Sequence, residues 1–242
     1  MDTAEGGFPL PKRAMVVVAH PDDAEFMVAG TAARWARAGA ELIYVVVTRG
    51  DKGSDDPAMT PERLAEIRES EQRAAAEIIG VAEVRFLGYP DAYLQYTLEL
   101  RRDIAREIRR YRPEIVVTFD PTTRFLRDTY PNHPDHRITG DATVDAVFPA
   151  ARDRLTFPEL LAEGLQPHKV LELWLGATDR PNFWVDIGET LHVKRRALLA
   201  HPSQLDEGVV EFVTEMAREA AREQSFEFAE AFRRIVIEQA HP

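Results

Sequence analysis

Two short runs hold the residues best able to do chemistry: Ala19-His20-Pro21-Asp22-Asp23-Ala24-Glu25 and Asn132-His133-Pro134-Asp135-His136. An imidazole followed three residues later by a carboxylate, on a tight turn, can bind a single divalent cation. Pro21 has a fixed φ and biases His20 toward an extended backbone, so the turn is stiff. The adjacent aspartates would point apart, leaving one for the cation and one beside it. The bland alternative is that Asp22 or Asp23 merely caps the following helix, and the first run alone does not decide between them. The second run tips the balance. His133 and His136 are three apart at a helix start opened by Pro134, so both can reach one site. Three of the seven histidines fall in these two His-Pro-Asp motifs.

His20, Asp23 and His136 make a two-imidazole, one-carboxylate set that leaves a coordination position open for water, the arrangement of catalytic rather than structural zinc. Water bound there has its pKa lowered to about 7 and becomes a nucleophile at neutral pH. Asp22, beside the ligand but aimed elsewhere, is placed to accept the water's proton as general base. His133, when protonated, would stabilise a tetrahedral oxyanion or protonate a leaving amine. Asp135 is expected to hydrogen-bond a histidine and set its tautomer, and Asp120 is a second candidate for that task. These roles describe metal-assisted hydrolysis of an amide or ester.

The elements that must position these groups alternate strand and helix. Residues 14–18 are an apolar, β-branched run of buried-strand length, followed by helical spacing through Phe26, Ala29, Ala33 and Ala36 to Gly39. Residues 41–47 read as a second buried strand, leading into the polar loop Thr48-Arg49-Gly50-Asp51-Lys52-Gly53-Ser54. Thr60-Pro61 opens a helix with apolar positions Leu64, Ile67, Ala74, Ala75 and Ile78, closed by Gly80; Arg68, Glu69 and Glu71 read as its solvated face. Residues 83–87 are a third strand, residues 100–111 a helix, and residues 115–119 a fourth strand ending at Asp120-Pro121. The fold class is therefore α/β, a Rossmann-like, mostly parallel sheet flanked by helices, with a smaller C-terminal strand and helix portion. His20 and the Asp91 and His133 loops should share the carboxyl edge of that sheet, where ligands bind.

Past residue 150 the pattern thins. Residues 157–165 read as a short helix or lid, and residues 168–175 and 183–186 as strands. Lys194, Arg195 and Arg196 lie on a helix as a solvated face. Val209, Phe212, Val213, Met216 and Ala220 form an amphipathic helix, and the apolar close from Phe226 to Ile237 would add an edge strand or an oligomer contact.

With 242 residues, 45% hydrophobic and 29% charged, the chain fits one domain spanning residues 1–242, residues 1–12 forming a tail. A formal net charge of -11 argues against nucleic acid or an anionic membrane as partner. The absence of cysteine excludes a thiol nucleophile, a disulfide framework and a Cys-ligated metal. No Gly-x-Gly-x-x-Gly follows the first strand, which speaks against a dinucleotide site and, equally, against a phosphate-cradling turn. The sequence shows neither a signal-peptide core nor a membrane-length apolar stretch, so a cytoplasmic protein acting on a small molecule is expected, with homo-oligomerisation left open.

Ala19-His20-Pro21-Asp22-Asp23 with the later His133-Pro134-Asp135-His136 resembles the LmbE-like (PIG-L) de-N-acetylase superfamily, whose members deacetylate N-acetylglucosamine groups of glycoconjugates, including mycothiol and bacillithiol precursors. Thr48-Arg49-Gly50-Asp51-Lys52-Gly53, Phe86-Leu87-Gly88-Tyr89 and Thr118-Phe119-Asp120-Pro121 extend the resemblance, which runs to about His201. It implies one Zn2+ per chain, with another divalent metal as the alternative, held by His20, Asp23 and His136. It also implies Asp22 as general base and His133 as the catalytic histidine, and it places the family's sugar-holding arginine and aspartate at Arg68 and Asp91. The family often has Glu directly after the two aspartates; here Ala24 intervenes before Glu25, and every ligand position is still filled. Two other readings compete. One is hydrolysis of a different amide or ester, which Arg68, Asp91 and residues 150–168 would discriminate by shaping the pocket. The other is a non-catalytic metal- or sugar-binding protein, against which the presence of both Asp22 and His133 counts.

Overall fold

The computed structural model of the chain describes residues 1–3, 7–127 and 129–237. After a short pair of strands, β1 (Asp2–Thr3) and β2 (Pro9–Leu10), the chain runs β3 (Arg13–Val18), α1 (Asp23–Arg37), β4 (Glu41–Thr48), α2 (Pro61–Ile79), β5 (Glu83–Tyr89), α3 (Leu98–Tyr111) and β6 (Ile115–Phe119). A small hairpin, β7 (Phe125–Leu126) and β8 (Tyr130–Pro131), precedes α4 (Pro134–Asp145). Then come α5 (Glu159–Ala162), β9 (Glu172–Gly176), β10 (Phe183–Asp186), α6 (Leu191–Leu198), α7 (Gly208–Ala220) and β11 (Ala229–Val236). The main sheet has the order β10-β11-β9-β6-β3-β4-β5. β9, β6, β3, β4 and β5 are parallel, and β11 runs antiparallel between β9 and β10.

The near-continuous burial of β3, β4 and β6 follows from helices covering both faces of a parallel sheet. Alternate residues supply two cores. Val16, Val18, Leu42, Tyr44 and Val46 meet Val28, Ala32 and Trp35 of α1 on one face. Met15, Val17, Ile43 and Val45 meet Leu100, Ile104, Ile108 and Ala142 on the other. From β3 the chain moves to β4 on one side, whereas β6 lies on the other, so the switch point of the sheet falls between β3 and β6. That is the crevice in which ligands of such sheets bind.

Several local expectations change. The N-terminal stretch is more than a tail: Phe8 is buried and stacks on Trp35, whose indole Nε1 donates to the Pro9 carbonyl at 2.9 Å. The buried stripe of α2 is Leu64, Ala65, Arg68, Gln72, Ala75, Ala76 and Ile79, so Arg68 faces inward rather than toward solvent. The helix opened by Pro134, expected to run through Ile138, Ala142 and Val147 to Phe148, has its α-helical part α4 end at Asp145, and Phe148 leaves helical geometry ahead of Pro149, as residues before proline tend to. On α7, Phe212 and Met216 are exposed, and the buried face is Val209, Val213, Thr214 and Ala217. The closing strand β11 is an interior strand, because β10 pairs outside it.

Residues 150–168 are neither a lid nor a pocket wall. Leu160 is buried in the core under α3, and Arg109 near the end of α3 donates to the carbonyls of Ala150, Ala151, Asp153 and Thr156. His168 Nε2 lies 2.7 Å from the Pro113 carbonyl, just before β6. The segment therefore packs at the amino-terminal edge of the sheet, opposite the His20 turn.

Lys194 is likewise buried, not solvated. Its Nζ donates to Glu230 Oε1 on β11 at 2.6 Å and to the Phe26 carbonyl in α1 at 2.7 Å. Glu230 also accepts from the Gly30 and Thr31 amides at 2.9 and 2.8 Å. One ion pair thus ties the helix that follows the first His-Pro-Asp turn to α6 and β11. Removing one partner of such a pair leaves a buried charge uncompensated. Lys194→Ala is expected to lower unfolding stability by about 3–5 kcal/mol, read from urea denaturation; an unchanged midpoint would show that the pair is not holding the helix.

Candidate metal centre

β3 ends at Val18 and α1 begins at Asp23, so four residues carry the turn. Asp22 stands at the helix N-cap in the left-handed region, φ 95°, with no capping hydrogen bond from its side chain. Asp23 does not cap either: its Oδ2 accepts from the His20 amide at 2.7 Å. The capping explanation of the two aspartates therefore fails, and their carboxylates diverge as the spacing suggests. α4 starts one strand over, at the end of β6, with Pro134 at its first position.

Asp23 joins the two motifs. Its Oδ2 lies 3.3 Å from His20 Nδ1 and its Oδ1 lies 3.1 Å from His136 Nε2. The ring centroids of His20 and His133 are 4.7 Å apart, and those of His20 and His136 5.2 Å apart. On its other side, His20 Nε2 faces Asp91 Oδ1 at 3.2 Å and Asp135 Oδ2 at 3.4 Å. Among the described residues, two sets bring one potential ligand atom each to within 4.8 Å of one another, His20 with His133 and His136 and His20 with Asp91 and Asp135; the expected set of His20, Asp23 and His136 is not one of them.

Asp135, expected to set a histidine's tautomer, touches two of them. Its carboxylate meets His20, and its amide donates to His133 Nδ1 at 3.2 Å. Asp135 Oδ2 also accepts from the Ala92 amide at 2.8 Å, while buried Oδ1 has no partner. Asp120 reaches no histidine among the described residues. Its oxygens accept from the Thr122 amide and hydroxyl and from the Thr178 hydroxyl, with Arg233 3.9 Å away. It braces the end of β6 instead.

Arg68 and Asp91 also face inward. Arg68 donates to the Pro21 carbonyl at 2.7 Å, the Gly50 carbonyl at 3.0 Å and Asp22 Oδ2 at 3.2 Å. Its two terminal nitrogens hold the turn and the Asp22 carboxylate. Asp91 is buried against His20, and its amide donates to Asp51 Oδ1 at 3.1 Å.

Sequence reasoning missed four supports of this site. Gln72 accepts from the Asp22 amide at 3.0 Å and donates to Glu25 Oε1 at 2.9 Å, and His201 Nε2 lies 3.4 Å from Glu25 Oε2. All three of these side chains are fully buried. The fourth is Phe119, the last residue of β6, which stacks on His136 at 4.2 Å with the rings 6° from parallel. The signal for Gln72 was present in the helical spacing from Arg68 to Ala76, once polar residues are admitted to a buried stripe.

The electrostatics favour a cation. Burial works against a charged His20, but the Asp23 charge and hydrogen bonds to Asp135, Asp23 and Asp91 outweigh it and hold the imidazole pKa well above its ordinary value. Burial alone would raise Asp23, yet the charges of His136 and His20 and their hydrogen bonds hold it well below the usual carboxylate range. Burial, and next the Asp23 charge, push Asp22 up to about 7 against the pull of Arg68, His201 and His20. Burial, and next the charge on His20, lower His133. Asp23, Asp51, Asp91 and Asp135 are all buried here, with His20 and His136 against Asp23, His20 against Asp91 and Asp135, and Lys52 3.6 Å from Asp51. Two imidazoles facing one carboxylate in such surroundings fit a divalent cation in both ligand type and charge.

Gly140 sets the depth at which α4 sits. A Cβ there would come within 2.6 Å of the Phe119 carbonyl oxygen, and Gly140 shares a helix face with His136 one turn earlier. Gly140→Ala must therefore push α4 off the end of β6, at a cost of about 1–3 kcal/mol measured by chemical denaturation. Wild-type stability in that variant would contradict the close approach.

Fold and site together define an α/β enzyme whose reactive groups gather at the switch point of its sheet. The family model for GlcNAc-PI de-N-acetylase, PIG-L, matches residues 15–147. The chain is 35% identical over 200 residues to diacetylchitobiose deacetylase of Thermococcus kodakarensis, a match covering 83% of this chain and 73% of that one. It is 31% identical over 213 residues to the probable N-acetyl-alpha-D-glucosaminyl L-malate deacetylase 2 of Bacillus anthracis, covering 86% of each. The structure of N,N'-diacetylchitobiose deacetylase from Pyrococcus horikoshii, bound to an inhibitor, superposes with a TM-score of 0.86 at 29% identity, over 93% of this chain and 84% of that one. This chain belongs to the PIG-L, LmbE-like family, and it is a hydrolase of the de-N-acetylase class. No helix among the described residues is long and apolar enough to cross a membrane.

Proposed function

We propose that the chain removes the acetyl group from an N-acetylglucosamine-type amino sugar or glycoconjugate, releasing acetate and the free amine, with zinc held by His20, Asp23 and His136. The observation that carries this reading is the Asp23 carboxylate lying between the imidazole that follows β3 and one in the first turn of α4, with a second carboxylate, Asp22, turned away from them. The names of the relatives, which include a diacetylchitobiose deacetylase and an N-acetylglucosaminyl malate deacetylase, support this substrate class.

Zinc bound there supplies Lewis acidity, lowering the pKa of water and polarising the acetamide carbonyl. The protein's own groups supply the rest. Asp22, held by Gln72 and Arg68, takes the proton of the attacking water on its carboxylate and delivers it to the departing nitrogen. His133 accepts from the Asp135 amide at Nδ1, so the neutral ring carries its proton on Nε2 and donates to the oxyanion of the tetrahedral intermediate. Of the two tasks foreseen for His133, this geometry favours oxyanion stabilisation. Asp91 and Asp135 fix the orientation of His20 from behind, leaving Nδ1 for the cation.

The test combines metal content with amine release from N-acetylglucosamine and N,N'-diacetylchitobiose. Wild type and Asp22→Asn should each bind about one zinc, with deacetylation about 10²–10⁴-fold slower in Asp22→Asn. His133→Ala should keep its metal and lose about 10²–10³-fold in rate, whereas His136→Ala should lose the metal. Full activity in Asp22→Asn, or full metal content in His136→Ala, would contradict the assignment.

A further inference from the structure

Asn132 was part of the second motif only as the residue before His133, yet it is 2% exposed and every polar group it has is engaged. Its backbone is held on both sides: its amide donates to the Arg124 carbonyl at 2.9 Å, and its carbonyl accepts from Arg137. Its side-chain Nδ2 donates to the Thr123 carbonyl at 2.8 Å. A carbonyl oxygen only accepts, so the amide cannot be turned round, and Oδ1 must point the other way. There it meets His136 Nδ1 at 3.0 Å. An amide oxygen also only accepts, so Nδ1 carries hydrogen. The opposite nitrogen, Nε2, faces Asp23 Oδ1 at 3.1 Å, and the Phe119 ring stacked at 4.2 Å fixes the plane of the imidazole.

We propose that Asn132 is a positioning residue of the metal centre: its amide oxygen fixes the His136 proton on Nδ1 and so presents Nε2 as the donor to the cation. The direction of the Thr123 carbonyl, nine residues away, is thereby passed through one amide to the choice of ligating atom. The inference rests on the metal reading for its consequence, but the location of the proton does not depend on a metal being bound. A contact that only packed the loop would need no particular nitrogen protonated.

The test uses the full chain with Asn132→Leu, which removes both acceptor and donor, and Asn132→Asp, which keeps an acceptor. Circular dichroism and thermal melts establish that each variant is folded. Zinc affinity is read by competition with a chromophoric chelator, and the protonated nitrogen of His136 by ¹⁵N–¹H NMR. In zinc-loaded wild type, the expected result is a slowly exchanging Nδ1–H with zinc on Nε2. Asn132→Leu should lose that resonance and bind zinc about 10–100-fold more weakly, and Asn132→Asp should recover both to within a few-fold. Wild-type affinity in Asn132→Leu, or a wild-type Nδ1 without hydrogen, would overturn the proposal. Should wild type bind no zinc, the metal reading fails separately. The Asn132 assignment then stands or falls in the metal-free protein, on whether the Nδ1–H resonance is present in wild type and absent from Asn132→Leu.

Discussion

The Asp23 carboxylate is shared between His20 and His136, and the geometry of the whole centre follows from that contact. His20 follows the end of β3, whereas His136 lies in the first turn of α4, which packs beside the end of the neighbouring strand β6. A side chain on the first turn of α1 can bridge them because β3 and β6 pair in register and α4, opened by Pro134 after the β7–β8 hairpin, starts beside the end of β6. The register of β3 with β6, the close approach of α4 permitted by Gly140, and the Phe119 ring under His136 all serve that one alignment. The left-handed backbone at Asp22 is its counterpart. By turning that residue away, it keeps a second carboxylate beside the centre without letting it join the imidazoles.

Concentrating carboxylates in a buried place is costly unless positive charge answers them. Here the answer is layered. Arg68 sits under Asp22, Lys52 lies beside Asp51, and His20 has carboxylates on both of its nitrogens. Behind α1, the Lys194–Glu230 pair and the Gln72–Glu25–His201 group hold the helix and its first turn from the protein side. Arg68 faces inward, with Nη1 on the Gly50 carbonyl and Nη2 on the Pro21 carbonyl and the Asp22 carboxylate.

How much of this was legible in the sequence depends on distance along the chain. The His-Pro-Asp turns were visible because ligand, proline and second carboxylate lie within four positions of one another, and the strands were visible because burial on both faces makes them continuously apolar. The joining of the two turns in one crevice followed from strand–helix alternation and the edge rule for parallel sheets. Contacts made across long separations left no such pattern. Gln72 meets Glu25 across 47 residues, and Glu230 meets Gly30 across 200. Lys194 and Arg68 looked like ordinary charges on a helix, since a buried charge is recognisable only through its partner. The Phe226–Ile237 run looked like an edge strand because its apolar character does not say what pairs outside it. Residues 150–168 could not be placed at either edge of the sheet without the carbonyls that Arg109 gathers.

Anomalous diffraction from zinc-soaked crystals would locate the cation among these side chains. A single zinc peak bounded by His20 Nδ1, the Asp23 carboxylate and His136 Nε2, with Asp22 outside bonding distance, is the predicted result. A peak among His20, Asp91 and Asp135, or one ligated by His133 in place of Asp23, would contradict the account and reassign both the ligands and the base.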